Sequence, residues 1–330
     1  RKSTLLGSED AAVYTKIGLG TSGRMLQLFD LALLSPKSEP TKWVLPDGER
    51  EALGGFVRQF LDPAPGDRDD VQVVSGRWLM VVGKPELLAG AERLIAANVE
   101  HREHAIEVEV RITKVASKLF EQVLQPHLVA VEKVEAKENA PRGGPGPELT
   151  MPPAEVVKAR AGKSTQWQGL LGAKAAAGVV DVLIKEGSEA VSMPRLAVSP
   201  LRLATASSLN QTAYVRDFEV EQLGDKAVAS PVVDVITDGI DGRVMVLYEP
   251  DGRIGLDCEV SVSEVLRPIP TAEVDLGVAG APKGVVQLPR VRGVRLRQVA
   301  HLVNGEVAVV AAPRAEGGFL VAMIAVRTTR

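Results

Sequence analysis

Ile106-Glu107-Val108-Glu109-Val110-Arg111-Ile112-Thr113 is the stretch that decides the fold. Apolar and polar residues alternate without a break. The two-residue period of an extended strand then sets Ile106, Val108, Val110 and Ile112 on one face and Glu107, Glu109, Arg111 and Thr113 on the other. One face meets a core and the other meets water. Further along, Ile254, Leu256, Cys258, Val260 and Val262 alternate with Asp257, Glu259, Ser261 and Ser263 in the same way. Arg243–Glu249 precedes them, joined through Asp251-Gly252, a pair that favours a tight I′ hairpin. Asn304-Gly305 signals a second hairpin between Val294–Val303 and Glu306–Val310. From about residue 179 the chain reads as antiparallel strands with at least one wet face.

Upstream, the pattern changes to helix–strand–strand–helix. In Glu49–Leu61 the residues Leu53, Val57, Phe60 and Leu61 recur at helical spacing, with Asp47 as N-cap and Asp62-Pro63 as the stop. Val71–Val74 and Trp78–Val82 are short strands joined by Ser75-Gly76. A second helix, Pro85–Asn98, carries Leu87, Leu88, Ala91, Leu94 and Ile95 on one side. Two helices on one face of a small sheet follow, so the class is α+β. Residues 1–45 have no clear fold: Ala11–Ile17 suits a strand and Arg24–Leu34 a helix. Lys137–Pro153, rich in Pro and Gly, reads as a flexible excursion, and Gln166–Ala177 as a short helix. The division expected is 1–45, a module at 46–104, and a β-domain at 105–330 with the excursion at 137–153.

The 330 residues carry 39 Lys+Arg and 42 Asp+Glu, a formal net charge of −3, which argues against a polybasic nucleic-acid binder. One cysteine, Cys258, rules out an intrachain disulfide framework, and four histidines leave little for metal chemistry. Gly18-Leu19-Gly20-Thr21-Ser22-Gly23 matches a dinucleotide fingerprint, but no second strand follows before Glu39, so a glycine-rich turn is the better reading. Gly162-Lys163-Ser164-Thr165 lacks the earlier glycine of a P-loop. Arg290, Arg292, Arg295 and Arg297 form the densest basic run, and without aromatic platforms they are expected on a wet strand face answering Glu259 or Glu264. His101 and His104 are expected at a solvated helix end. No catalytic, cofactor-binding or metal site is expected.

Several ordered motifs together resemble the secretin family, the ring-forming channels of bacterial secretion systems. They are Glu107-Val108-Glu109-Val110-Arg111-Ile112, Ser192-Met193-Pro194-Arg195-Leu196, Asp251-Gly252-Arg253-Ile254-Gly255-Leu256-Asp257, Val262–Thr271 and Val303-Asn304-Gly305-Glu306. Residues 46–100 resemble the small ring-building modules that precede a secretin core. Val310-Ala311-Ala312-Pro313 departs from the family's glycine-rich ending and is expected to interrupt the last hairpin.

The resemblance implies a long-stranded β-domain of secretin type closing into an oligomeric β-barrel or ring, with no enzymatic activity. It implies a pore for protein secretion, of type II or related systems, in the outer membrane or periplasm after removal of a targeting segment. The partners expected are further copies of the chain and other envelope or secretion-system proteins. Glu107, Glu109 and Arg111 are expected to face the lumen, and Pro194 and Arg195 to shape a strand junction. Asp251, Gly252, Asn304 and Gly305 are expected to set hairpin register. The alternative is a ring of the same fold that scaffolds without conducting, favoured by an aromatic content of 4%.

Overall fold

The computed structural model describes residues 13–19, 23–35, 45–134, 163–192, 194–223, 226–276 and 283–328; the stretch 137–153 lies outside them. The chain begins with strands β1 (Val13–Leu19) and β2 (Arg24–Asp30), followed by a 3-10 turn at Leu31–Leu34. Next come α1 (Asp47–Gln59), β3 (Asp70–Val74), β4 (Trp78–Gly83) and α2 (Pro85–Glu100). The four strands form one antiparallel sheet in the order β1-β2-β4-β3. Leu53, Phe56 and Val57 of α1 and Leu87, Ala91 and Leu94 of α2 pack with Phe29, Val71, Leu79 and Val81, so both helices cover one face, as the spacing predicted. At the β3–β4 turn both Ser75 and Gly76 have positive φ, the geometry a two-residue hairpin favours.

The helix expected over Arg24–Leu34 is instead a strand and a short turn. Met25, Leu26 and Leu28 are good helix formers, but β2 is flanked by β1 and β4, and ladder pairing on both sides overrides local propensity. The segment before residue 46 thus supplies two strands to the module's sheet. Because β1 and β2 are antiparallel neighbours, with Leu19 opposite Arg24, Gly18 and Gly23 flank a strand-to-strand turn and not the strand-to-helix turn of a nucleotide site. Pro46, not Asp47, occupies the N-cap of α1.

The β-domain opens with β5 (Ile106–Val115), α3 (Ser117–Val123), a 3-10 turn at Gln125–His127, β6 (Val129–Val134), β7 (Lys163–Leu171) and α4 (Ala173–Lys185). The helix expected at Gln166–Ala177 therefore starts later, at Ala173, and its first half is strand. The short strands β8 (Glu189–Ser192) and β9 (Arg195–Val198) follow. The long strands are β10 (Leu203–Leu223), β11 (Lys226–Tyr248) and β12 (Ile254–Val265). The chain ends with β13 (Thr271–Val274), β14 (Gly284–Gln287), β15 (Val291–Leu302), β16 (Val307–Pro313) and β17 (Phe319–Thr328).

Two sheets stack. One has the order β10-β11-β12-β15; the other runs β6-β7-β16-β17-β5-β8, with β9 also paired to β5. Between them lies a core in which Ile106, Val108, Val110 and Ile112 meet Val246, Leu256, Cys258, Leu296, Ala308, Val310 and Ile324. On the far side of the second sheet, α3 and α4 pack over Val115, Val309, Val321 and Met323 through Phe120, Ala176, Val179 and Leu183. On the far side of the first sheet sits the amino-terminal module, whose core runs on into Leu201, Met245 and Leu247. Gly255 is needed for that contact: a Cβ there would meet the Phe60 ring at 2.7 Å.

Asn98 joins the module to the long sheet. Strand β10 begins opposite Met245, leaving the last residues of β11 without it. The fully buried Asn98 takes the empty place: its Nδ2 donates to Tyr248 O at 2.8 Å and to Leu94 O at 2.7 Å, and Tyr248 N donates to Oδ1 at 2.8 Å. The side chain thus mimics a strand's donor and acceptor. His101 packs its ring on Tyr248, with centroids 4.4 Å apart, so it is more than the solvated helix end expected.

Strands β10 and β11 have 21 and 23 residues, roughly 70 Å of extended chain. Strand β12 pairs only with Gly239–Tyr248, so the rest of the β10–β11 pair projects as an arm. A one-residue slip between Val215 and Asp217, a β-bulge, interrupts its ladder.

Candidate functional site

Among the described residues no cluster of His, Cys, Asp and Glu could hold a metal, and the residues singled out by the sequence lie on sheet faces, at strand ends and in turns. On β5 the even positions enter the core between the sheets, so Glu107, Glu109 and Arg111 point the opposite way. They are half-buried. Glu109 lies 3.2 Å from Arg195 and 3.9 Å from Arg111, and Glu107 is level with Ala197 and Arg327 in the neighbouring strands. The charged face is therefore internally compensated.

Arg195 is the first residue of β9. Pro194 stands just before it, with its carbonyl accepting from Val110 N at 3.0 Å. The proline sits where the chain passes from β8 to β9, both of which border β5.

The two turn pairs differ from expectation. At Asp251-Gly252 only Gly252 has positive φ (+85°), and Gly252 N donates to Glu249 O at 3.0 Å. This is a four-residue turn, Glu249–Gly252, ending in a left-handed glycine, and not a two-residue I′ turn; Pro250 suits its second position. Asn304-Gly305 makes no hairpin. It joins β15 in one sheet to β16 in the other, so it is a corner. Glu306 N donates to Val303 O at 2.9 Å, and Asn304 Oδ1 accepts from Thr328 N at 3.4 Å, which ties the corner to the end of β17. Nor does Val310-Ala311-Ala312-Pro313 interrupt anything. It completes β16, an interior strand between β7 and β17, and Pro313 is its last residue.

Of the arginine run, Arg292, Arg295 and Arg297 lie on β15, and Arg290 stands just before it. Arg297 makes a bidentate pair with Asp257 at 2.7 and 3.1 Å, and that carboxylate raises its pKa. Arg295 and Arg243 share Glu259 at 3.8 and 2.8 Å, and Arg292 pairs with Glu316. These arginines answer carboxylates, as their setting in the sequence suggested for Glu259.

The arm has two unlike faces. Leu209, Gln211, Ala213, Val215, Val233, Val235 and Thr237 share one, and beyond the bulge Phe218, Val220, Ala229 and Pro231 continue it. No residue among them is charged, and Leu209, Val235 and Val233 are 51%, 52% and 58% exposed. The opposite face carries Asn210, Thr212, Tyr214, Asp217, Glu219, Glu221, Asp234 and Asp238. Arg216 leans that way, 3.5 Å from Asp234. The apolar face continues the side of the long sheet on which the module sits, opposite the side covered by β5.

The two edges of the long sheet are also unlike. Along β10, among the described residues, no strand pairs outside β11. Val215 N turns outward to Gln287 Oε1 at 2.9 Å, so Gln211 and Ser207, two and four pairs of residues further back on the same period, present their amides to the same rim. Along β15 three outer carbonyls are occupied by side chains. Gln166 Nε2 donates to Arg295 O at 2.7 Å, Gln168 Nε2 to Arg297 O at 2.8 Å, and Gln298 Nε2 to Val299 O at 3.1 Å. The sequence reading missed these glutamines because Gln166 and Gln168 were assigned to a helix. Only Gln166-Trp167-Gln168 alternates, and Thr165, Gly169 and Leu170 break the period, so the sequence holds little signal for this strand.

No family model and no curated protein matches the chain. Among solved structures it is similar to secretin domains. One is the InvG secretin-domain β-barrel of the Salmonella SPI-1 injectisome, at 10% identity and TM-score 0.30 over 80% of this chain and 74% of that one. Another is the V. cholerae type IV competence pilus secretin PilQ, at 11% identity and TM-score 0.27 over 93% of this chain and 77% of that one.

Proposed function

We propose that this chain is a subunit of a secretin-like homo-oligomeric ring in the bacterial envelope, guarding or conducting the passage of proteins or large solutes. The observation that carries the reading is the outer rim of β10 from Leu203 to Ala213, along which no strand pairs among the described residues; beyond it Gln287 already takes the Val215 amide. A long strand with free amides and carbonyls is a template for another chain. Directions alternate through β10, β11, β12 and β15. In copies standing the same way up, β15 of one and β10 of the next therefore run antiparallel. The join between copies is then the same ladder that builds the sheet, and a rotation that closes leaves no rim.

The layer order is consistent with one inside and one outside for such a ring. If Glu107, Glu109 and Arg111 face a wet lumen, the uncharged face of the arm must point outward. From Leu209 to Val220 it has the length that a tilted strand needs to cross hydrocarbon, about 9–11 residues. This supports an arm that reaches the outer membrane. The amino-terminal module, whose sheet also takes in β1 and β2, would stack as a second ring through its edge strands β1 and β3. A second reading, a ring that scaffolds without conducting, is favoured by the compensation of Glu109 by Arg195 and Arg111. Conductance across planar bilayers separates the two, since a scaffold passes no current.

The test is Ser207→Pro with Gln211→Pro, which removes two outward amides without taking a donor from the β10–β11 ladder. Negative-stain images and sedimentation should show closed rings for the parent and monomers for the variant, with unchanged circular dichroism. Rings formed equally by both, or by neither at high concentration, would overturn the reading.

A further inference from the structure

We propose that Gln166, Gln168 and Gln298 form a releasable cap on the β15 rim, which holds the single subunit back from pairing until the rim of a second copy displaces it. The inference rests on the ring reading and assigns the means by which one of its edges is controlled. Three successive outward carbonyls, those of Arg295, Arg297 and Val299, each accept from a glutamine carboxamide. A neighbour's strand would need these same acceptors.

Two of the three donors come from β7, which belongs to the other sheet. The cap is therefore a contact across the sandwich and no part of β15's own ladder. Its acceptor ends are poorly served. Gln166 and Gln298 are each only 5% exposed, and the Oε1 of each is buried with no hydrogen-bond partner among the described residues. A buried acceptor without a donor is costly, and that cost offsets what the cap gains. Such a contact is balanced closely enough to be exchanged. The opposing rim is suited to the exchange. Through the register, Ser207, Thr205 and Leu203 of β10 stand level with Arg295, Arg297 and Val299 across the sheet. They carry outward amides on the same two-residue period as the capped carbonyls.

Uncapped β15 in a monomer would be a standing invitation to open-ended sheet growth, which the glutamines suppress. In the closed ring the carboxamides swing away, and backbone amides of the neighbour take their place.

The test compares the concentration at half assembly, by mass photometry and sedimentation, for the parent chain, Gln168→Glu, and Gln166→Leu with Gln168→Leu. Gln168→Glu removes the donor from an accessible position and places an acceptor against an acceptor. It should lower that concentration about fivefold, and the double variant about 25-fold, one hydrogen bond being worth about fivefold. If the double variant misfolds, Gln168→Glu with parent-like circular dichroism decides alone. An unchanged or raised half-assembly concentration in a folded variant, with the parent still forming rings, overturns the cap and leaves the ring standing. A parent that stays monomeric at every concentration overturns both.

Discussion

Replacing Asn98 by alanine isolates the join between the module and the long sheet. The substitution removes three hydrogen bonds of 2.7 to 2.8 Å and leaves Tyr248 N–H and C=O facing a dry gap where β10 has not yet begun. Each buried main-chain group without a partner costs about 1–3 kcal/mol. The two together predict a loss of about 2–6 kcal/mol, a large share of the ~5–15 kcal/mol that holds a domain folded. Leu94 O keeps its helix context and adds little. Asn98→Leu restores the volume but not the bonds, so it should recover only part of the loss. Asn98→Asp keeps the acceptor for Tyr248 N but sets a carboxylate against two carbonyls, and should be at least as damaging as alanine. Urea unfolding followed by tryptophan fluorescence and circular dichroism measures the change. A second signature is expected in hydrogen exchange: amides at the end of α2 and the end of β11 should lose protection together. An alanine variant within about 0.5 kcal/mol of the parent, with protection at Tyr248 intact, would refute the argument.

Two other predictions concern titratable groups. Burial, with Asp257 and Glu259 nearby, pushes the Cys258 thiol up to about 12, so a thiol reagent at pH 8 should leave the native chain unlabelled and modify one cysteine once urea unfolds it. Rapid native labelling would mean that the core between the sheets opens. The Asp30 carboxyl, although burial alone would raise it, is held below its ordinary 3.8 by Arg77 at 2.6 and 2.9 Å and by Ala32 N at 3.0 Å. A depressed carboxyl stabilises the fold fully above its unfolded value and loses that contribution as pH falls through its folded one. Arg77→Ala should therefore cost about 1 kcal/mol at neutral pH, the half-exposed guanidinium being partly screened, and the deficit should shrink as pH falls below 3.8. A deficit constant from neutral pH down to acid unfolding would show that the ion pair contributes nothing.

Strands with clean alternation were legible before any coordinates. Ile106–Thr113 and Ile254–Val262 sit on the faces their period assigned, because one side of each is wholly core. The module's helices were legible for the same reason. Arg24–Asp30 was not, since its leucines and methionine favour a helix and only its neighbours β1 and β4 make it a strand. The functional edges were the hardest to read. Edge status is a property of what lies beside a strand, and no residue of Leu203–Leu223 announces that its outer side is empty. The cap on β15 was hidden likewise, because two of its three donors lie about 130 residues away along the chain. Asn304-Gly305 marked a turn correctly but not its destination, which depends on the stacking of two sheets.

The bulge at Val215/Asp217 settles something larger than its size. Arg216 is one residue too many for its partner strand, and it shifts the parity of everything toward the tip. If Arg216 took a regular place in the ladder, with no bulge to set it aside, Asp217, Glu219 and Glu221 would fall in line with Leu209 and Ala213, and the uncharged flank would turn acidic halfway along. By holding a single amino acid out of register, the bulge keeps both halves of the hairpin dressed for the same surroundings, greasy on one flank and ionic on the other.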